Sequence, residues 1–131
     1  MNLTPTQLIK KAILAKSCQF FEDFKPINSL ATGEEIDAAF QDANDKDVTQ
    51  DATEEIRSSG ISTGLPAPYS RNYETEINAH LIDDQWVGFV YYFAGGKHSE
   101  PGAIPWMEDA FLLDCKEELI TVTKRTFTKK K

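Results

Sequence analysis

The chain has 131 residues, 40% of them apolar and 27% charged, with a formal net charge of −7. That size and composition fit one globular domain. No apolar run approaches the roughly 20 residues that span a bilayer, and so acidic a chain repels phosphate backbones, which argues against direct nucleic-acid binding.

Lys10 and Lys11 interrupt the first apolar stretch, and no small-residue cleavage site follows. The expectation is a protein that stays in the cytoplasm. Cysteine usage agrees. Cys18 and Cys115 lie far apart and form no C-x-x-C pair. They read as two buried free thiols rather than a disulfide or a metal knuckle.

Charge is unevenly placed. Between residues 33 and 55 stand Glu34, Glu35, Asp37, Asp42, Asp45, Asp47, Asp51, Glu54 and Glu55, opposed only by Lys46. The chain ends on Lys124, Arg125, Lys129, Lys130 and Lys131. The basic end reads as a solvated terminus.

The first predicted element is a helix. Thr4-Pro5-Thr6-Gln7 is a capping box with proline at the first helical position. Leu3 and Leu8 are placed for a hydrophobic staple, and Ile9, Ile13, Phe20 and Phe24 recur near helical spacing. Lys25-Pro26 is expected to end it, because the residue before proline is pushed out of helical geometry. Thr32-Gly33-Glu34-Glu35 caps a second helix. Its stripe is Ile36, Ala39, Phe40 and Ala43, its other faces are acidic, and it is expected to end near Asn44. From 45 to 65 two readings stand. Asp51 to Arg57 is a short helical turn, or an extended segment starts at Glu54-Ile56 and runs through Ile61.

From residue 70 the period changes to two. Tyr73, Thr75, Ile77, Ala79 and Leu81 share one face of a strand, and Glu74, Glu76, Asn78 and His80 the other, predicting a strand half buried on its apolar side. Asp83-Asp84-Gln85 turns it into Trp86-Val87-Gly88-Phe89-Val90-Tyr91-Tyr92-Phe93, apolar on both faces and so expected in the middle of the sheet. Ala110 to Cys115 reads as a third strand. Lys116-Glu117-Glu118 reads as the turn to a fourth, Leu119 to Phe127, suited to an edge. The fold expected is α+β, in one domain covering 1–131. Two or three N-terminal helices, within residues 1–58, pack on a C-terminal four-stranded antiparallel β-meander, within residues 66–128.

The loop from Gly95 to Trp106 holds a cation (Lys97), a base (His98), an acid (Glu100) and an aromatic (Trp106). Long irregular loops in compact domains are often functional. It reads either as a ligand or partner-contacting lip, or as a structural crossing that buries Ile104 and Trp106. Gly95-Gly96-Lys97 lacks the phosphate-loop spacing. His80 and His98, with Glu100, are a weak signal for acid–base or metal chemistry, and no metal or cofactor is expected. A small ribonuclease is disfavoured by the acidic balance. Asp42 to Asp47 opens like a calcium loop, but lacks the glycine at the sixth position and the glutamate at the twelfth. No G-x-S-x-G, H-E-x-x-H or dinucleotide fingerprint occurs.

Ser59-Gly60, Ser70-Arg71-Asn72-Tyr73-Glu74, Trp86-Val87-Gly88, Tyr91-Tyr92, Gly95-Gly96-Lys97-His98, Glu100-Pro101 and Trp106 resemble small uncharacterised proteins of bacteria, phages and other mobile elements. The resemblance covers about residues 59–127. It implies a bacterial or phage setting and assigns no site residue. Small acidic phage-borne proteins are often inhibitors of host defence.

The leading expectation is therefore a non-enzymatic interaction protein, an inhibitor or anti-defence factor. Its partner-binding residues would be Glu34, Glu35, Asp37, Asp42, Asp45 and Asp47, set against a basic surface of a host protein. The second is a small-molecule binder using Tyr91, Tyr92, Trp106, Lys97 and His98. The third is a small enzyme using His98 and Glu100. No membrane partner is expected, and an exposed aromatic face would point to a dimer.

Overall fold

In the computed structural model, which describes residues 2–25, 27–95 and 101–130, three helices precede a four-stranded antiparallel sheet. The helices are α1 (Pro5–Phe20), α2 (Gly33–Asp45) and α3 (Gln50–Ser58). The strands are β1 (Ile61–Ser62), β2 (Glu74–Ile82), β3 (Gln85–Phe93) and β4 (Phe111–Leu113), neighbours in that order. A 3-10 turn, Pro101–Ala103, follows β3. The α+β arrangement is the one expected from the sequence. No helix of the described residues is long and apolar enough to cross a membrane.

Both capping boxes form. The Thr4 hydroxyl accepts from the Gln7 amide at 3.1 Å while the Gln7 side chain accepts from the Thr4 amide at 3.0 Å. Thr32 and Glu35 repeat the exchange at 3.2 and 3.0 Å. Each box satisfies two amides that the first helical turn leaves without partners.

α1 is buried on two sides. Leu8, Ile9 and Ile13 pack with Ala52 of α3 and with Ile82, Val87, Phe89 and Trp106. Leu14 packs with Ala31, Ile36 and Ala43 in a second cluster against α2. The helix ends at Phe20, short of the expected Lys25. One turn past Ser17 it has outrun the body it packs on, and Phe20 and Phe21 stand exposed. Without a surface to bury them, propensity alone does not extend a helix. Pro26 lies outside the described residues.

The open stretch resolves into α3 and then β1, so the helical reading of Asp51 to Arg57 holds. The β2–β3 hairpin closes on Asp83 and Asp84 with φ of 49° and 64°. Two left-handed residues define the two-residue turn whose twist matches paired strands.

β2 is covered on both faces and not only on its apolar side: Ile77 and Ala79 are buried as expected, and Asn78 of the polar side is buried too. Register pairs His80 with Val87, Asn78 with Phe89 and Glu76 with Tyr91, and directly paired residues share a face. Val87 and Phe89 are fully buried in the helix-side core. The polar side of β2 therefore faces the helices, and Thr75, Ile77, Ala79 and Leu81 face the other way. Ile77 and Ala79 are 5% and 3% exposed on that opposite face, so the middle of β2 is covered on both sides and the hairpin register sets Asn78 and His80 beside Val87 and Phe89.

The misfit on β2 is only half repaired. His80 donates from Nε2 to the Ile56 carbonyl at the end of α3, at 2.7 Å, and its ring stacks on Phe89. His80 is thus a strand-to-helix tie rather than a surface histidine. Asn78 is less well served: it is 3% exposed and its side-chain oxygen has no hydrogen-bond partner among the described residues. Replacing Asn78 with leucine is expected to raise stability by about 1 kcal/mol, because an unpaired buried amide is costly and apolar replacement removes the cost. Urea unfolding measures this, and a lower midpoint would show that the amide is needed.

The sheet runs from 61 to 113, not from 66 to 128. The third predicted strand shortens to Phe111–Leu113. The predicted fourth, Leu119–Phe127, is not a strand, and β1 supplies the fourth instead. Trp86 pairs with Leu113, one residue from the start of β3 at Gln85, so the chain beyond β4 soon passes the hairpin end of β3. Residues 114–130 have neither helix nor strand and are exposed throughout. On the outer face Phe111 and Leu113 lie across Gly88, where a β-carbon would sit 2.7 Å from the Phe111 ring and 2.8 Å from a Leu113 methyl. Any larger residue at 88 would push β4 away.

Candidate functional site

A concavity of about 950 Å³ lies between the start of α1, the α2–α3 corner and the segment after the 3-10 turn. Phe40, Ile104, Trp106 and Met107 supply its apolar lining, and Asp47, Asp51, Glu54 and Glu108 its carboxylates. Those four acidic residues are all exposed.

Each wall follows from a local cause. Asp47 takes the left-handed conformation, φ 57°, that turns the chain from α2 into α3. The Val48 amide bonds the Ala43 carbonyl at 3.1 Å and closes that corner. Thr6 of α1 donates to the Met107 carbonyl at 2.9 Å, fixing the 104–108 segment over the helices. Trp106 is 4% exposed and packs on Phe89, ring centroids 4.9 Å apart. Trp106 is thus buried as the crossing reading had it, whereas Ile104 is half-buried and lines the cleft.

The two cations lining the cleft are already engaged. Lys10 pairs with Asp37 at 3.0 Å and lies 5.4 Å from the Phe40 ring centre. Arg57, 7% exposed, reaches Glu54 from Nε at 3.0 Å, the Tyr92 carbonyl from Nη1 at 2.9 Å, and the Tyr91 ring at 4.9 Å. With Arg57 and Lys10 neutralised by Glu54 and Asp37, the field at the mouth is set by Asp47, Asp51 and Glu108.

The structure divides the acidic belt of α2. At 100° per residue, Glu34 and Asp45 share the crest opposite Ile36 and Ala43. Glu34 is exposed there, and Asp45 accepts from Gln41 at 3.0 Å. Asp42 pairs with Lys46 at 2.9 Å. Glu35 serves the capping box, and the hydrogen bonds from Thr32 hold its carboxyl below the usual range. Hydrogen bonds from Lys10 and Gln7 likewise lower Asp37. Asp47 alone of the six predicted belt residues lines the cleft. The additional cleft residues Asp51 and Glu54 were visible as charge but not as members of one site. Glu108 and Arg57 gave no sequence signal.

A folded pKa below the unfolded one means that Asp37 contributes stability above the ordinary aspartate range, lost as pH falls through its folded pKa. Asp37→Asn is therefore expected to flatten the acid limb of stability below about pH 4. The exposed pair limits the effect to less than about 1 kcal/mol. Stability against pH for both proteins tests it, and identical acid limbs would refute it.

Lys97, His98 and Glu100 lie outside the described residues. Tyr91 and Tyr92 are both half-buried against the main core, and neither lines the cleft. Tyr92 instead meets Tyr73 edge-on, 6.2 Å between ring centres. Among the described residues, no group of three or more His, Cys, Asp or Glu side chains is placed to hold a metal ion. Both cysteines are free. Cys18 is half-buried, which pushes its thiol up, whereas Cys115 is exposed and not buried as expected. Comparison with protein-family models, with curated proteins and with solved structures finds no match.

Proposed function

We propose that this chain is a non-catalytic interaction module whose acidic cleft receives a basic segment of another protein. The observation that carries the reading is the pairing of an apolar floor, Phe40, Ile104 and Met107, with the carboxylates of Asp47, Asp51 and Glu108 at the mouth. An apolar floor supplies affinity, and an uncompensated acidic rim selects cationic partners and speeds their approach. The crest carboxylates Glu34 and Asp45 extend the same negative field along α2. The narrower reading, an inhibitor of a host defence protein, rests on the resemblance of residues 59–127 to proteins of phages and mobile elements.

The test is affinity capture by the tagged full chain from nuclease-treated bacterial lysate, beside an Asp47→Lys, Asp51→Lys, Glu108→Lys variant. Among the described residues these three side chains make no hydrogen bond or ion pair, unlike Glu35 and Asp37. The expected result is a stoichiometric protein partner that leaves as salt rises and is not captured by the variant. A partner retained by the folded variant would remove the cleft from the reading. No partner at low salt would turn the question to a small ligand held by the loop that contains Lys97 and His98.

A further inference from the structure

We infer that the chain forms a two-fold dimer in which residues 119–127 of each copy add as a strand along the free edge of β4 in the other. Three observations support it. The first is the tail itself. Leu119, Ile120, Val122 and Phe127 are exposed, at least three-quarters of each side chain facing solvent. As an extended strand the segment puts Ile120 and Val122 on one side and Leu119 and Phe127 on the other, with threonine at 121, 123 and 126. That is the pattern of a strand covered on both faces, like β3, and not of a solvated terminus.

The second is the edge it would meet. β4 is bonded to β3 on one side only. Its Leu112 is half exposed toward the helix side, while Leu113, with Trp86, Ile61 and Leu65, lines an apolar groove of about 350 Å³ on the outer face. An added strand would cover Leu112 with one side and extend the cover over Leu113 with the other, matching the tail's two apolar faces. An unpaired edge flanked by apolar side chains is a template for another strand.

The third is why the tail belongs to a second copy. β4 leaves the sheet beyond the β3 hairpin end. Between Leu113 and Leu119 lie Asp114, Cys115 and Lys116-Glu117-Glu118, with Lys116 paired to Glu118 at 3.0 Å and neither helix nor strand among them. Lys116, Glu117 and Glu118 include no glycine or asparagine for the left-handed positions of a two-residue hairpin, and residues 114–130 stand exposed instead of returning along β4. A hinge that opens outward while its strand finds the same edge on another copy is strand exchange. Charge agrees: Lys124, Arg125, Lys129 and Lys130 are basic, and every acidic residue of the chain precedes them. A tail laid on another copy therefore meets an acidic body.

The experiment is the mass of the full chain by light scattering over a wide range of concentrations. It is run beside Ile120→Asp/Val122→Asp and Leu112→Lys, with amide exchange followed at 119–127. The expected result is twice the monomer mass with protected tail amides in the wild type. Both variants should fall to monomer mass with the far-ultraviolet spectrum unchanged and the tail amides unprotected. A dimer that survives Ile120→Asp/Val122→Asp would place the interface elsewhere and overturn the inference. A wild type that stays monomeric at every concentration would also overturn it. In that case protected tail amides mean that the strand folds back on its own sheet, and unprotected ones that it is a free terminus.

Discussion

Replacing Trp106 with alanine is expected to destabilise the domain by about 3–5 kcal/mol, a large share of the roughly 5–15 kcal/mol that holds a domain of this size folded. The indole is almost wholly buried and touches Phe89, which sits with Leu8, Ile9 and Ile13 in the main core. No regular element holds residue 106. The Thr6–Met107 bond and this side chain fasten the returning segment to the helices. Removal leaves a cavity that a segment tied at Met107 can fill only incompletely. Trp106→Phe keeps most of the apolar surface and is expected to cost about 1–2 kcal/mol, in line with a modest volume change. Urea unfolding followed through far-ultraviolet circular dichroism measures both. A cost near zero for the alanine variant would mean that the 104–108 segment lies outside the folded core. Because the same ring walls the cleft, the proposed function expects a partner captured by the wild type to be kept by a folded Trp106→Phe variant and lost by Trp106→Ala.

Arg57→Ala is expected to cost about 2–3 kcal/mol. The guanidinium forks onto Glu54, caps the carbonyl of Tyr92 near the end of β3 and lies over the Tyr91 ring. One side chain thus joins α3 to β3. The 3-10 turn closes over it: a β-carbon on Gly102 would come within 2.9 Å of Glu54 and 3.3 Å of Arg57. Truncation strands the Tyr92 carbonyl in a half-buried place. The exposure of Glu54 keeps the loss below that of a fully buried pair, since Glu54 can return to water. Arg57→Lys should recover little of it, because a single ammonium cannot reach the carboxylate and the carbonyl at once or stack on the ring. Full recovery by lysine would reduce the role of Arg57 to charge alone. The thermal midpoint and amide exchange at β3 and α3 distinguish these outcomes.

The same contacts explain why the acidic belt is not a uniform surface. A triple charge reversal at Glu34, Glu35 and Asp37 removes a capping box and the Lys10 ion pair along with negative charge, so weakened binding would have two explanations. Reversal at Asp47, Asp51 and Glu108 changes the field at the cleft and leaves both contacts in place.

Local chemistry was legible in the chain. Thr4 with Gln7 and Thr32 with Glu35 announce helix starts, because a capping box satisfies its own amides within one helical turn. The doubly apolar run from Trp86 to Phe93 marks an interior strand, and Asp83-Asp84 marks the hairpin. These signals need no distant partner. The tertiary structure decided the rest. That the polar side of β2 is covered as well as its apolar side depended on β3, whose register sets Asn78 and His80 beside the buried Val87 and Phe89 while Ile77 and Ala79 are buried on the opposite face. Where α1 stops depended on how far the sheet and α2 extend beneath it. Whether Leu119 to Phe127 becomes a strand depended on pairing across the fold: β4 is only Phe111–Leu113, its outer edge is unpaired, and residues 114–130 stay exposed without helix or strand. The cleft joins Thr6, Asp47, Arg57 and Glu108, residues from opposite ends of the chain, and no local pattern records such a meeting.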